Sequence, residues 1–291
     1  TFSLPDTVRD IYPNPVVRVH GTPAAVFRDH RWSLPVIVHA AECGRVTLPA
    51  TLVTLDRHAD SLTVPDDVRA GLPVAGDGFA AVCDHVKTSL SPRDDNWITA
   101  GMEMGVLGDV VQFSSGRFSE GVADSLLHYC DRYGNEHLVH RIGMPRTALS
   151  WKGALVDDTH LSHEAGILDV IGFSADSPGF SRPVPSLVLD IDLDFFTIEW
   201  DTVVVPFPGE VFRHEFEAMC QSQWYDNYTP GRFLAGLAEA AGVITVATEP
   251  SFCGGAAHAG EILGALGGGL DCRDFAADRM QVDYPVTYPS V

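Results

Sequence analysis

Two short stretches of this chain gather carboxylates where an apolar strand would end: LDRHAD at 55–60 and LDIDLDFF at 189–196. Side chains of an extended strand alternate between faces, so Asp190, Asp192 and Asp194 share one face while Leu187, Leu189, Ile191, Leu193 and Phe195 share the other. Carboxylates about 7 Å apart on one face of a strand repel one another, and on a segment otherwise fit for a core they are costly to desolvate. A divalent cation offsets both costs. An Asp-rich loop in water is the plain alternative; Leu187-Val188-Leu189 before the acids and Phe195-Phe196 after them argue against it. Asp56, His58 and Asp60 follow the same period of two, so an extended strand end aims all three at one place. Carboxylates with an imidazole suit Mn²⁺, Fe²⁺ or Zn²⁺, and the lack of nearby thiolate ligands argues against a structural zinc cage. Five carboxylates and one imidazole exceed the needs of a single ion. That stoichiometry points to two metals sharing bridging carboxylates.

Such strand ends need a sheet behind them. Val-, Ile- and Leu-rich runs at 34–42, 50–60, 108–115, 186–196 and 242–251 are expected as buried strands. Helices are expected between them at 95–107, 209–223 and 229–242, the last with Pro230 near its start and Gly242 just past its end. Strand–helix alternation implies an α/β three-layer sandwich, a mostly parallel sheet covered by helices on both faces. In such sheets ligands sit at the carboxyl ends of the strands, which is where both acidic motifs fall. The Pro/Gly-rich stretches at 174–186 and 203–210 read as loops around one strand, so residues 1–291 are expected to form one domain.

Composition narrows the partners. The chain has 291 residues, 45% of them hydrophobic, and a mean hydropathy of +0.07, ordinary values for a chain that buries a sizeable core. Nineteen Lys and Arg stand against 39 Asp and Glu, a formal net charge of −20. This argues against nucleic acid and against anionic membrane surfaces, because both are bound by cationic side chains. It suits a cationic substrate or a metal, although solubility alone also explains it. The six cysteines, Cys43, Cys83, Cys130, Cys220, Cys253 and Cys272, form no C-x-x-C pair and read as reduced thiols. No apolar run approaches the roughly 20 residues of a membrane span. The opening TFSLPDTVRD has neither a basic nor an apolar leader region, so the expected location is the cytoplasm.

The pair of motifs resembles the ureohydrolase (arginase) superfamily, whose signatures are D-A-H-x-D and later S-x-D-x-D, each at a strand end. In detail the chain is closer to the divergent arginase-like family that includes the peptide arginases. That family shows D-x-H-x-D, then an N-W-I segment opening a helix, then L-D-I-D-L-D-F-F; here these are DRHAD, Asn96-Trp97-Ile98 and LDIDLDFF in the same order, within roughly residues 34–251. The resemblance implies an arginase-like fold holding two divalent cations, Mn²⁺ foremost. Asp56 and Asp192 would bridge them, Asp60 would complete one shell, and His58 with Asp194 the other. Asp190 falls where arginases place a Ser, implying either a supporting role or a register in which Asp190 and Asp192 are the ligands. The first arginase ligand is the His of P-x-x-x-G-G-D-H. Aligned on Pro35, that position holds Glu42, which would serve as the carboxylate ligand, with His39 as the rival.

The resemblance also implies a substrate end. Arginases close a late strand with E-x-x-P, whose Glu pairs with the substrate guanidinium; here Glu249 ends GVITVATE, immediately before Pro250. A carboxylate accepts two parallel N–H bonds from a guanidinium, which gives charge and geometric recognition together. Asn96 and Trp97 would line the pocket, and His85 or His258 would carry a proton to the leaving amine. The implied reaction converts arginine, in a peptide or as a small guanidino compound, to ornithine and urea. An agmatinase-like or deacetylase-like amidohydrolase is the nearest alternative, and a non-catalytic metal-binding protein the next. Phosphoester hydrolysis is disfavoured because no Lys/Arg cluster accompanies the carboxylates.

Overall fold

A computed structural model describes residues 11–90, 95–114, 124–143, 148–149, 155–156, 173–174, 179–180, 186–200, 203–206 and 236–269. The chain opens with a hairpin, β1 (Ile11–Val19) and β2 (Thr22–Phe27), turned at His20-Gly21, both with positive φ as a two-residue hairpin loop requires. After a 3-10 turn at His30–Trp32 comes helix α1 (Ser33–Glu42), then strand β3 (Ala50–Asp56). Helices α2 (Asp66–Ala70), α3 (Gly78–Thr88) and α4 (Trp97–Glu103) lead into β4 (Leu107–Ser114). Strands β5 (Asp124–Cys130) and β6 (Glu136–Gly143) form a second hairpin. Short ribbons pair β7 (Ala148–Leu149) with β8 (Leu155–Val156), and β9 (Phe173–Ser174) with β10 (Gly179–Phe180). Strand β11 (Leu187–Asp192) is followed by a 3-10 turn at Leu193–Phe196 and the ribbon β12 (Thr197–Trp200) with β13 (Val203–Pro206). A helical stretch at 236–240, strand β14 (Val243–Ala247) and helix α5 (Ala256–Gly269) close the described chain.

Eight strands make one mixed sheet in the order β1-β2-β14-β11-β3-β4-β6-β5. The interior run from β2 to β6 is parallel throughout, and only the two edges, β1 and β5, are antiparallel. Two apolar cores cover its faces, giving three layers. Leu187, Leu189 and Ile191 point into one core, with Leu237, Ile262 and Leu266 from the helical stretch and α5. Val188 points into the other, with Leu34 and Ile37 of α1, Val82 of α3 and Ile98 of α4. Gly242 sits where a Cβ would lie 2.3 Å from the Arg45 carbonyl oxygen, so only glycine lets β14 enter the sheet there. Among the described residues no helix is long and apolar enough to cross a membrane.

The α/β class and the mostly parallel sheet agree with the sequence expectation, and the strands expected at 50–60, 108–115, 186–196 and 242–251 are present as β3, β4, β11 and β14. The strand expected at 34–42 is a helix instead. Its apolar residues are buried between the sheet and α3, so they run without alternation, and a buried helix and a buried strand then look alike. Pro35 stands in the first turn of α1, where its missing N–H costs nothing. Of the expected helices, α4 covers 97–103 of 95–107; the one at 209–223 lies outside the described residues, as does the start of that at 229–242 with Pro230.

Candidate metal centre

The interior strands deliver polar residues to one end of the sheet. β2 runs on to Asp29-His30, β3 to Asp56, His58 and Asp60, β11 to Asp192 and Asp194, and β14 to Glu249. Three groups have ligand atoms within 4.8 Å of one another: His30, Asp56 and Asp60; Asp56, His58 and Asp194; and His30, Asp192 and Glu249. The first two share Asp56, and the first and third share His30.

His30 organises the cluster. It is wholly buried, its Nε2 lies 2.6 Å from Asp190 Oδ2, and its Nδ1 faces three carboxylates: Asp60 Oδ2 at 3.0 Å, Asp192 Oδ2 at 3.3 Å and Asp56 Oδ2 at 3.7 Å. A ring held by a carboxylate on one nitrogen, with the other aimed into an oxygen-rich pocket, is the usual pattern of an imidazole metal ligand. Burial alone would lower the His30 pKa, but the Asp190 charge and bonds to Asp190, Asp192 and Asp60 raise it well above the ordinary value.

Asp190 is the holder rather than a member of the pocket. Register places Thr54, Asp190 and Thr245 in one row across β3, β11 and β14. Both hydroxyls donate to Asp190, Thr54 at 2.7 Å and Thr245 at 2.5 Å, and Ser33 at the start of α1 donates at 2.8 Å. With the His30 ring these contacts occupy both oxygens. Burial would raise the Asp190 carboxyl, but His30 and the hydroxyl bonds hold it below the usual range. Both Asp190 oxygens are thus engaged by protein donors, an arrangement that suits a supporting role. Asp190→Asn is expected to weaken metal binding about 10- to 100-fold, the usual loss when an orienting partner is removed; metal titration of the variant checks this.

Asp56, Asp192 and Asp194 share a different arrangement. Each has Oδ1 fixed by a backbone N–H: His58 to Asp56 at 2.6 Å, Asp194 to Asp192 at 3.1 Å, and Arg57 to Asp194 at 3.2 Å. Each Oδ2 is buried and faces an imidazole nitrogen, His30 Nδ1 for Asp56 and Asp192 and His58 Nδ1 for Asp194. Three buried carboxylate oxygens converging on two imidazoles are expensive to desolvate, and hard cations are what such oxygens accept. Burial and neighbouring carboxylates push the Asp192 carboxyl up to about 7 and raise Asp56 well above its ordinary value. Strand alternation ends at Asp192; Asp194 reaches the cluster because the 3-10 turn folds it back.

The raised groups give a stability signature. Between an unfolded carboxylate pKa of about 4 and the raised values of Asp56 and Asp192, the metal-free native chain binds protons that the unfolded chain has released. Their contribution is therefore present at low pH and lost as pH rises from about 4 to about 7. Bound cations displace those protons, so Mn²⁺ should stabilise the fold more at pH 7 than at pH 5. Melting curves with and without Mn²⁺ test this; a metal-free chain that gains stability across this range contradicts it.

The remaining residues fall into place around the cluster. His58 Nδ1 lies 2.7 Å from Asp194 Oδ2, with its side chain 43% exposed at the rim. Asp60 Oδ2 accepts the Trp97 indole N–H at 3.0 Å. Asp60 and Glu249 both have positive φ, 45° and 29°, a backbone state that side chains with a Cβ rarely adopt and that clusters at functional sites. The Glu249 carboxylate accepts the His30 backbone N–H at 3.1 Å.

Not every residue expected at the site joins the cluster. Glu42 is no cluster member: it ends α1, nine residues from Ser33 and roughly 14 Å along the axis at about 1.5 Å per residue. There it accepts the Phe79 N–H at 2.9 Å and lies 3.4 Å from His39, which is likewise outside the cluster. Trp97 is fully buried and positions Asp60, so it cannot line an open pocket. Asn96 is buried beside it with Oδ1 lacking a partner. His85 lies on α3, and burial and Arg132 lower its pKa; His258 lies on α5. Neither belongs to the three groups of the cluster. His30 was the missing member, and one signal pointed to it. The Pro-to-His spacing of P-x-x-x-G-G-D-H, read from Pro23 instead of Pro35, ends at Asp29-His30 with Phe27-Arg28 in place of the glycines. No protein-family model matches the chain, and no curated protein matches its sequence.

Proposed function

We propose that this chain is a binuclear metal-dependent hydrolase that cleaves a guanidino group, releasing urea and leaving an amine. What carries the reading is the sharing of Asp56 between two ligand groups, His30–Asp56–Asp60 and Asp56–His58–Asp194, with Asp192 facing His30. Two divalent cations, Mn²⁺ foremost, would be held by these residues and would supply an activated water at neutral pH. The chain's own part is positional. Asp190 fixes His30, Trp97 fixes Asp60, and backbone N–H groups fix one oxygen each of Asp56, Asp192 and Asp194. Glu249, at the cluster edge, would hold the guanidinium through paired N–H bonds and set its carbon against the attacking water.

A second reading of Glu249 has its own support: its ligand oxygen lies within 4.8 Å of His30 and Asp192 atoms, as a metal ligand's would. An arginase-like fold and an arginine-containing peptide or small guanidino substrate belong to this proposal, resting on the motifs DRHAD, Asn96-Trp97-Ile98 and LDIDLDFF. The test is urea release from free arginine, agmatine and arginine-containing peptides with the Mn²⁺-reconstituted protein. Urea from at least one supports the proposal. None from any, with metal bound, turns it toward a deacetylase-like enzyme or a non-catalytic metal protein.

A further inference from the structure

We infer that Phe252 forms an aromatic wall of the guanidinium subsite, so that the cation is held between the Glu249 carboxylate and the Phe252 ring. The inference rests on the guanidino reading above and adds to it a specificity-determining residue. Phe252 is one of six large apolar side chains exposed among the described residues, at 36%, and its ring lies against a member of the cluster. Its centroid is 5.1 Å from that of His58, edge-on, and His58 in turn touches Asp194. An exposed phenyl ring at the rim of an acidic, metal-type cluster contributes nothing to ligation. It does offer a π face to a cation.

The backbone fixes that ring relative to Glu249. The Phe252 N–H donates to the Glu249 carbonyl at 2.9 Å, closing a four-residue turn, and the Cys253 N–H donates to the same carbonyl at 3.1 Å. Buried Cys253 anchors the turn from below, with Sγ 3.3 Å from the Thr248 carbonyl, and the Gly255 N–H closes it on Pro250 at 2.7 Å. In such a turn the first and fourth Cα atoms lie less than about 7 Å apart. Cation–π attraction reaches to about 6 Å from the ring centroid. Glu249 and Phe252 thus reach the cluster from one short turn, the carboxylate beside His30 and Asp192 and the ring beside His58, and a guanidinium seated on Glu249 would meet the ring there. The two walls ask for different properties: Glu249 for paired N–H donors and charge, Phe252 for a flat, weakly hydrated cation, which a guanidinium is and an ammonium is not.

The test uses the Mn²⁺-loaded chain and compares Phe252→Leu with Phe252→Tyr on whichever guanidino compound releases urea. Leu keeps apolar bulk without a π face, and KM should rise about 3- to 30-fold, the range for exposed to desolvated cation–π contacts, with a smaller change in kcat. Tyr should stay within about 3-fold of the parent, below the low end of the cation–π range. Inhibition by the guanidinium compound and by its neutral ureido analogue separates charge recognition from shape. In Phe252→Leu only the guanidinium inhibitor should weaken. Equal weakening of both, or an unchanged KM, overturns the inference while leaving the guanidino reading in place. A parent protein that neither cleaves nor binds any guanidino compound overturns both.

Discussion

Replacing His30 with Ala should lower Mn²⁺ affinity by more than about 100-fold, beyond the loss typical of an orienting partner, and reduce urea release to background. The reason is its position in the network. Its Nδ1 faces Asp56, Asp60 and Asp192, and its Nε2–H donates to Asp190 alongside the Ser33, Thr54 and Thr245 hydroxyls. The variant removes a ligand and also frees Asp190, leaving a buried carboxylate with only neutral donors. His30→Gln, which keeps a polar side chain of similar reach, should fold but bind metal weakly; isothermal titration separates this from simple unfolding. Near-parental Mn²⁺ affinity in either folded variant would remove His30 from the ligand set.

Glu249→Gln should cost about 30- to 5,000-fold in kcat/KM, the range for losing one partner of a desolvated charge pair, with metal content intact. The substitution keeps the side-chain shape and the acceptor for the His30 N–H, so the turn and β14 should hold. It removes the charge that a guanidinium needs. A neutral ureido inhibitor should bind parent and variant alike. If metal is lost instead, Glu249 ligates together with His30 and Asp192, and the substrate clamp must be sought elsewhere.

The acidic half of the site was legible because strand alternation is a strict rule. Asp56 and Asp192 stand where period two puts them, and Thr54 two residues before Asp56 lies on the same face. Asp194 joins the cluster for a partly different reason, since it belongs to a turn rather than the strand. His30 was not legible by the same means. Its strand, β2, is short and Ala-rich, and one histidine after an apolar run looks like a core residue until its neighbours are known. The alignment on Pro35 failed because it assumed a strand at 34–42; once that segment is helix α1, Glu42 is carried away from the sheet end where ligands gather. The same geometry disposes of His39. The N-W-I segment was placed correctly as a helix start, but a tryptophan's burial depends on what packs over it, and here its N–H, not its surface, serves the site. The antiparallel edges β1 and β5 had no strong pattern of their own and follow from hairpin closure.

If the His30 and His58 groups hold two ions through a common Asp56, the ions can be counted directly. After reconstitution with Mn²⁺ and removal of loosely held ions, elemental analysis should find about two Mn per chain, as a shared-carboxylate dinuclear site requires. His30→Ala should fall below one. A parent protein that retains fewer than about 1.5 ions per chain, short of the pair such sites hold, contradicts the binuclear account.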